Sequence, residues 1–135
     1  MKIREILTEG LKRDKAIKII NSFVKFAANE LNLDELPNIN IQDDNSHSIE
    51  HRSFGGYGPG NKSINLTVKN RHINDCLRTL AHELVHYRQD LNDQLTQDSG
   101  VDGSPEENEA NAQAAVVMRK WGKLHPELFG QQAVE

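Results

Sequence analysis

Residues 82–86 read His82-Glu83-Leu84-Val85-His86, an H-E-x-x-H pattern within a stretch of helical periodicity. On a helix, two histidines four apart project from the same side, one turn above each other. Two imidazole nitrogens so placed reach one Zn²⁺ at about 2.0–2.1 Å each. Glu83 follows the first histidine, where its carboxylate can lie beside a water on the metal. Zinc makes such a water acidic, and a neighbouring glutamate takes its proton as it attacks a carbonyl. The pattern therefore constrains both the fold, which must present this helix flank to a second element, and the chemistry, which is metal-dependent hydrolysis.

A chain of 135 residues fits one domain with one modest core. Hydrophobic residues make up 36% and charged residues 27%, so a globular fold is expected. Aromatics are few, and the core must lean on Ile, Leu, Val and Ala. A net charge of −4 gives no reason to expect nucleic acid or a membrane surface as partner. No apolar run is long enough to span a bilayer. The single cysteine, Cys76, has no internal disulfide partner and reads as a small buried apolar residue in a reducing compartment. The first residues carry no apolar core of a secretory signal, so a cytoplasmic location is expected.

Apolar positions Ile17, Ile20, Phe23, Val24, Ala27 and Leu31 recur at helical spacing between about Lys12 and Asn32. Ile39 and Ile41 alternate with polar neighbours, as a short strand requires. Asp43-Asp44-Asn45-Ser46 reads as a turn and residues 47–54 as a second strand. Phe54-Gly55-Gly56-Tyr57-Gly58-Pro59-Gly60 is too glycine-rich for regular structure. Ile64, Leu66 and Val68 form a third alternating strand. Helical periodicity returns from Ile73 to about Leu91, with Leu77, Leu80, Ala81, Leu84, Val85 and Leu91 on the buried stripe. A polar loop covers residues 92–103. Ser104-Pro105-Glu106-Glu107 opens a last helix with a cap residue and a first-turn proline. Its inner face carries Ala110, Ala114, Val117 and Trp121, and Gly122 and His125-Pro126 end it.

A catalytic zinc site takes three protein ligands and leaves a position open. Cys76 faces away from His82, and His125 lies at a helix end beside a proline. The carboxylates opening the last helix remain. Extending the stripe Ala110, Ala114, Val117, Trp121 back by one turn reaches Glu107. A charge on a buried stripe is costly unless paired or metal-bound. Glu109 sits about 200° around the helix from Glu107 and is the alternative ligand. Asn111, four residues past Glu107, can hold a ligand from behind. Ser104-x-x-Glu107 is also a capping box, which would give Glu107 a purely local role.

H-E-L-V-H on one helix, followed some twenty residues later by E-x-E-A-N on the next, resembles the gluzincin metallopeptidases. It is most similar to compact, minimal members, including small metallopeptidases encoded by tailed phages. In those families the glutamate of an E-x-x-A-(D/N) pattern is the third ligand. Here the pattern falls on Glu107, Ala110 and Asn111. The resemblance covers roughly residues 39–122. It implies an α+β fold: an N-terminal helix, a small antiparallel sheet of two or three strands, and the HExxH helix packed on a C-terminal helix. It also implies a Zn²⁺ cofactor held by His82, His86 and Glu107, Glu83 as general base, and a peptide or protein substrate. Such families add a Tyr, His or Arg that stabilises the oxyanion. No motif places that residue, and Tyr57, His51 and His125 are the candidates. Tyr57 lies in a loop able to close over a cleft, and the same loop also reads as a plain turn with a packing tyrosine. Tyr87 points about 100° away from His86, to pack or to meet solvent. His47, His51 and His72 read as surface residues.

The first residues carry a second resemblance. Met1–Glu9 is similar to the short leader of proteins packaged in the heads of large tailed phages, cut after (Ile/Leu)-x-Glu. Leu7-Thr8-Glu9 fits, which gives a removable leader over 1–9, a metallopeptidase domain over 10–135 and a hydrolase carried in the virion. A plain helical N-terminus is the competing reading. The alternative to an enzyme is a metal-bearing virion component with the same fold, binding or structural in role and without catalysis. A fourth protein ligand would mark that alternative.

Overall fold

The computed structural model describes residues 11–42, 55–130 and 134. The expected leader, the turn at Asp43–Ser46, the strand at 47–54, His47 and His51 lie outside them. Helix α1 runs Arg13–Glu30 and buries Ile20, Phe23, Val24 and Ala27 of the apolar side read from the periodicity, with Ala16 buried where Ile17 was expected and Ile17 half-buried. Asn32 ends it in the left-handed region at φ 58°. The Asn32 N–H donates to the Asn29 carbonyl (3.3 Å) and the Leu33 N–H to the Ala28 carbonyl (2.8 Å). This Schellman arrangement satisfies carbonyls a helix end leaves open, and asparagine tolerates the required backbone.

Strands β1 (Asn38–Gln42), β2 (Gly55–Gly58) and β3 (Ser63–Thr67) form one sheet in the order β1-β3-β2. The small α+β fold matches expectation, with one correction: the sheet is mixed, not antiparallel. β2 and β3 pair antiparallel, with Tyr57 opposite Ile64, as the short connection over 59–62 dictates. β1 pairs parallel with β3, with Ile39 opposite Ile64. Parallel pairing needs a crossover of a dozen or more residues, and residues 43–62 provide that length. A second correction concerns the glycine-rich stretch, which contributes β2. Pairing with β3 offsets the weak strand preference of glycine, and Gly58 leaves room that a Cβ would take, 3.1 Å from Asn61 Oδ1.

Helix α2 is Ile73–Leu91, as read, with one correction: Leu91, expected on the buried stripe, is exposed at the helix end. His72 is its N-cap, its ring Nδ1 accepting from the Asn74 N–H at 3.0 Å. The helix ends on a second Schellman arrangement, with Asp93 at φ 56° and the Gln94 N–H donating to the Gln89 carbonyl (2.8 Å). Helix α3 spans Pro105–Leu124, passing through Gly122, and a 3₁₀ helix follows over Pro126–Gly130. α2 packs most extensively on α3, where Ala110 and Ala114 are buried. Cys76 is fully buried, and burial pushes its thiol up to about 11.

Phe23 of α1 meets Trp121 of α3 edge-on, ring centroids 5.2 Å apart, and His125 stacks on Trp121 at 3.9 Å. This cluster ties α1 to the end of α3 opposite Glu107. Phe23→Ala is expected to cost about 3–5 kcal/mol, as large-to-small core changes of aromatics do. Urea denaturation read by circular dichroism checks it.

Candidate metal centre

His82 and His86 stand one turn apart on α2, with imidazole planes at 80° and ring centroids 4.8 Å apart. Leu84 and Val85 between them are fully buried and anchor this side of the helix in the core. Ser104 caps α3, its hydroxyl accepting from the Glu107 N–H at 3.1 Å. The serine half of the capping box is therefore present, while the Glu107 side chain turns to the histidines. Its Oε1 lies 3.0 Å from His82 Nε2 and its Oε2 lies 3.0 Å from His86 Nε2. The two Nε2 atoms are 3.2 Å apart. Among the described residues, these three form the cluster able to hold a metal ion.

The donor set fits zinc. Ligand atoms of a tetrahedral ion with bonds of 2.0–2.1 Å sit about 3.3 Å from one another. The two Nε2 atoms are already close to that spacing, each lies 3.0 Å from a different oxygen of Glu107, and two imidazoles with one carboxylate are a known catalytic combination. Asn111 hydrogen-bonds the His82 ring, the supporting role its spacing suggested. Burial lowers the pKa of His82, while Glu107 beside it acts the other way. Neutral imidazole is the form that binds a metal.

Comparison with protein-family models, curated proteins and solved structures finds no match to this chain. The centre is read from its own geometry.

Glu83 borders a cavity of about 420 Å³ together with His82, His86 and Glu107. Burial pushes its carboxyl up to about 7, with His86 opposing and Glu107 adding to the rise. Tyr57, Pro59, Leu95 and Thr96 are among the residues that form the cavity's other walls. Glu109, the alternative ligand, belongs elsewhere: it accepts from Gln89 Nε2 at 2.9 Å and borders a separate groove beside Arg88 and Leu91. Nearly opposite faces of α3 keep the two glutamates apart.

Of the three oxyanion candidates, Tyr57 alone lines the cavity among the described residues. Its hydroxyl donates to Asp90, which also pairs with Lys62 at 2.9 Å. Burial and Asp90 raise the phenol's pKa, so Tyr57 keeps its proton and spends it on that carboxylate. Its ring packs edge-on against buried Tyr87 at 6.0 Å. Tyr57 thus braces β2 against α2, which is nearer the packing role than the lid. His125, the residue capping the end of α3, lies eighteen residues beyond Glu107, about 27 Å along the axis.

The sequence reading missed Gln89. Fully buried, it faces His86 Nδ1 with its Oε1 at 2.8 Å. A signal was present: Gln89 is four residues past Val85 and three past His86, so a polar side chain continues the apolar stripe.

Proposed function

We propose that this chain is a zinc-dependent peptidase. One observation carries the reading: both oxygens of Glu107 meet the two Nε2 atoms at 3.0 Å while Glu83 borders the same cavity. His82, His86 and Glu107 would hold the ion. Bound Zn²⁺ supplies Lewis acidity, polarising a carbonyl and acidifying water. Glu83 accepts the proton of the attacking water and passes it to the leaving amine nitrogen as the C–N bond breaks. Leu95, Pro59 and the Tyr57 ring wall the cavity and limit access of bulk water.

The sheet order supports a peptide substrate. Among the described residues β2 is an outer strand, and Tyr57 on it borders the cavity, so an extended peptide can pair along its outer edge and cross the site. A closed, structural metal site would need a fourth protein ligand. Among the described residues the cluster has three members and opens on a cavity, which favours catalysis.

Hydrolysis of a quenched fluorescent peptide library tests the proposal. Chelation is expected to abolish cleavage, and about one equivalent of Zn²⁺ to restore it. Cleavage indifferent to chelation, or a protein that takes up no metal, would overturn it.

A further inference from the structure

We infer that the cavity beside the centre takes an uncharged, aliphatic side chain of the substrate, and that Leu95 is the residue that sets this preference. Besides His82, Glu83, His86 and Glu107, the described residues that wall it are Tyr57, Pro59, Leu95, Thr96, Ser99 and Gly100. None of these others carries a charge. At about 420 Å³ the cavity lies toward the small end of ligand sites, which suits one residue and its side chain rather than a long segment. Leu95, half-buried in the loop between α2 and α3, is the largest aliphatic group among these walls.

The polar side chains of these walls are already engaged. The Tyr57 hydroxyl donates to Asp90. The Thr96 N–H donates to Ser99 Oγ at 2.8 Å, and the Asp98 N–H donates to Thr96 Oγ1 at 3.3 Å. The two hydroxyl oxygens lie 3.3 Å apart, one donating to the other. That leaves one hydroxyl proton between them, too little to replace the water around an ammonium or a carboxylate. The two glutamates of the site offer lysine no spare counter-charge. On the peptidase reading Glu107 binds the ion, and Glu83 must stay free to take a proton. Their two negative charges balance the two positive charges of Zn²⁺. The loop is also held in place. The Ser104 hydroxyl donates to the Ser99 carbonyl at 2.8 Å while accepting from the Glu107 N–H at 3.1 Å. The wall that includes Leu95 is thereby fastened to the first turn of the helix carrying Glu107, so the preference is built in before substrate arrives. The inference rests on the peptidase reading for its substrate and on the walls for its chemistry.

Quenched fluorescent peptides varied one position at a time around the cleaved bond test the preference. At one position next to that bond, Leu, Ile or Met is expected to exceed Lys, Arg, Asp and Glu by at least about 10-fold in kcat/KM, within the range over which apolar pockets discriminate. Leu95→Asp is expected to reverse that order in favour of Lys and Arg. Leu95→Ala opens the cavity and is expected to move the optimum to Phe. A merely structural residue would not reorder the preference, and circular dichroism checks that each variant is folded. A wild type indifferent to charge at every position overturns the inference, and so does a folded Leu95→Asp protein that keeps the wild-type order. A second measurement needs no turnover. The N-acetyl α-amides of leucine, lysine and aspartate are added in turn to the Zn²⁺-treated protein, and carbon-13 NMR follows the Leu95 methyl signals. The leucine compound alone is expected to shift them. An equal response to a charged compound, or none to the leucine compound, overturns the inference even if no variant folds. If no peptide is cleaved but the leucine compound shifts those signals, the peptidase reading falls and the apolar assignment of the cavity stands.

Discussion

Glu83→Gln is expected to retain the metal and lose about 10²- to 10⁴-fold in kcat, the usual worth of a general base. The amide matches the carboxylate in shape, so cavity and fold should survive. What it lacks is the capacity to accept a proton. None of the three clustered donor atoms belongs to Glu83, so metal content should stay at the wild-type level. Elemental analysis beside steady-state kinetics separates the two effects. Full turnover in the variant would remove Glu83 from its role. Loss of metal together with turnover would make it a structural support of the centre.

The second large effect is expected at Glu107. Glu107→Ala deletes the group that closes the triangle, both of whose oxygens face an imidazole. Zn²⁺ affinity should fall by more than the roughly 100-fold that loss of a supporting partner costs. Thermal denaturation offers an independent readout. An ion that binds the folded state alone adds about 4.1 kcal/mol at a thousand times its dissociation constant. Added Zn²⁺ should therefore raise the wild-type midpoint and leave that of Glu107→Ala near its metal-free value. An equal response in both proteins would show that the ion sits elsewhere.

Much of this centre was legible because it depends on helical periodicity. The spacing of His82 and His86 sets their relation on any helix, and the stripe through Ala110 and Ala114 points back to Glu107. The structure buries both alanines and brings the three side chains together. What escaped was set by contacts distant in sequence. Nothing local in Gly55–Gly58 announces a strand, since its pairing partner lies across a turn on β3. The direction of β1 against β3 has no mark in either segment. The partner of the Tyr57 hydroxyl, Asp90, is thirty-three residues away on α2. Gln89 is an intermediate case, visible as a polar interruption of an apolar stripe but not interpretable until Glu106 and Glu109 appear opposite it.

The aromatic cluster around Trp121 has a practical consequence. The chain's sole indole is nearly solvent-free, in ring contact with both Phe23 and His125. It stands fourteen residues beyond Glu107 on a continuous helix, about 21 Å away along the axis. Its fluorescence should therefore report melting of the whole molecule while staying silent to local events among the imidazoles. Each protein altered at the centre carries within itself an optical control that tells a damaged scaffold from a damaged centre.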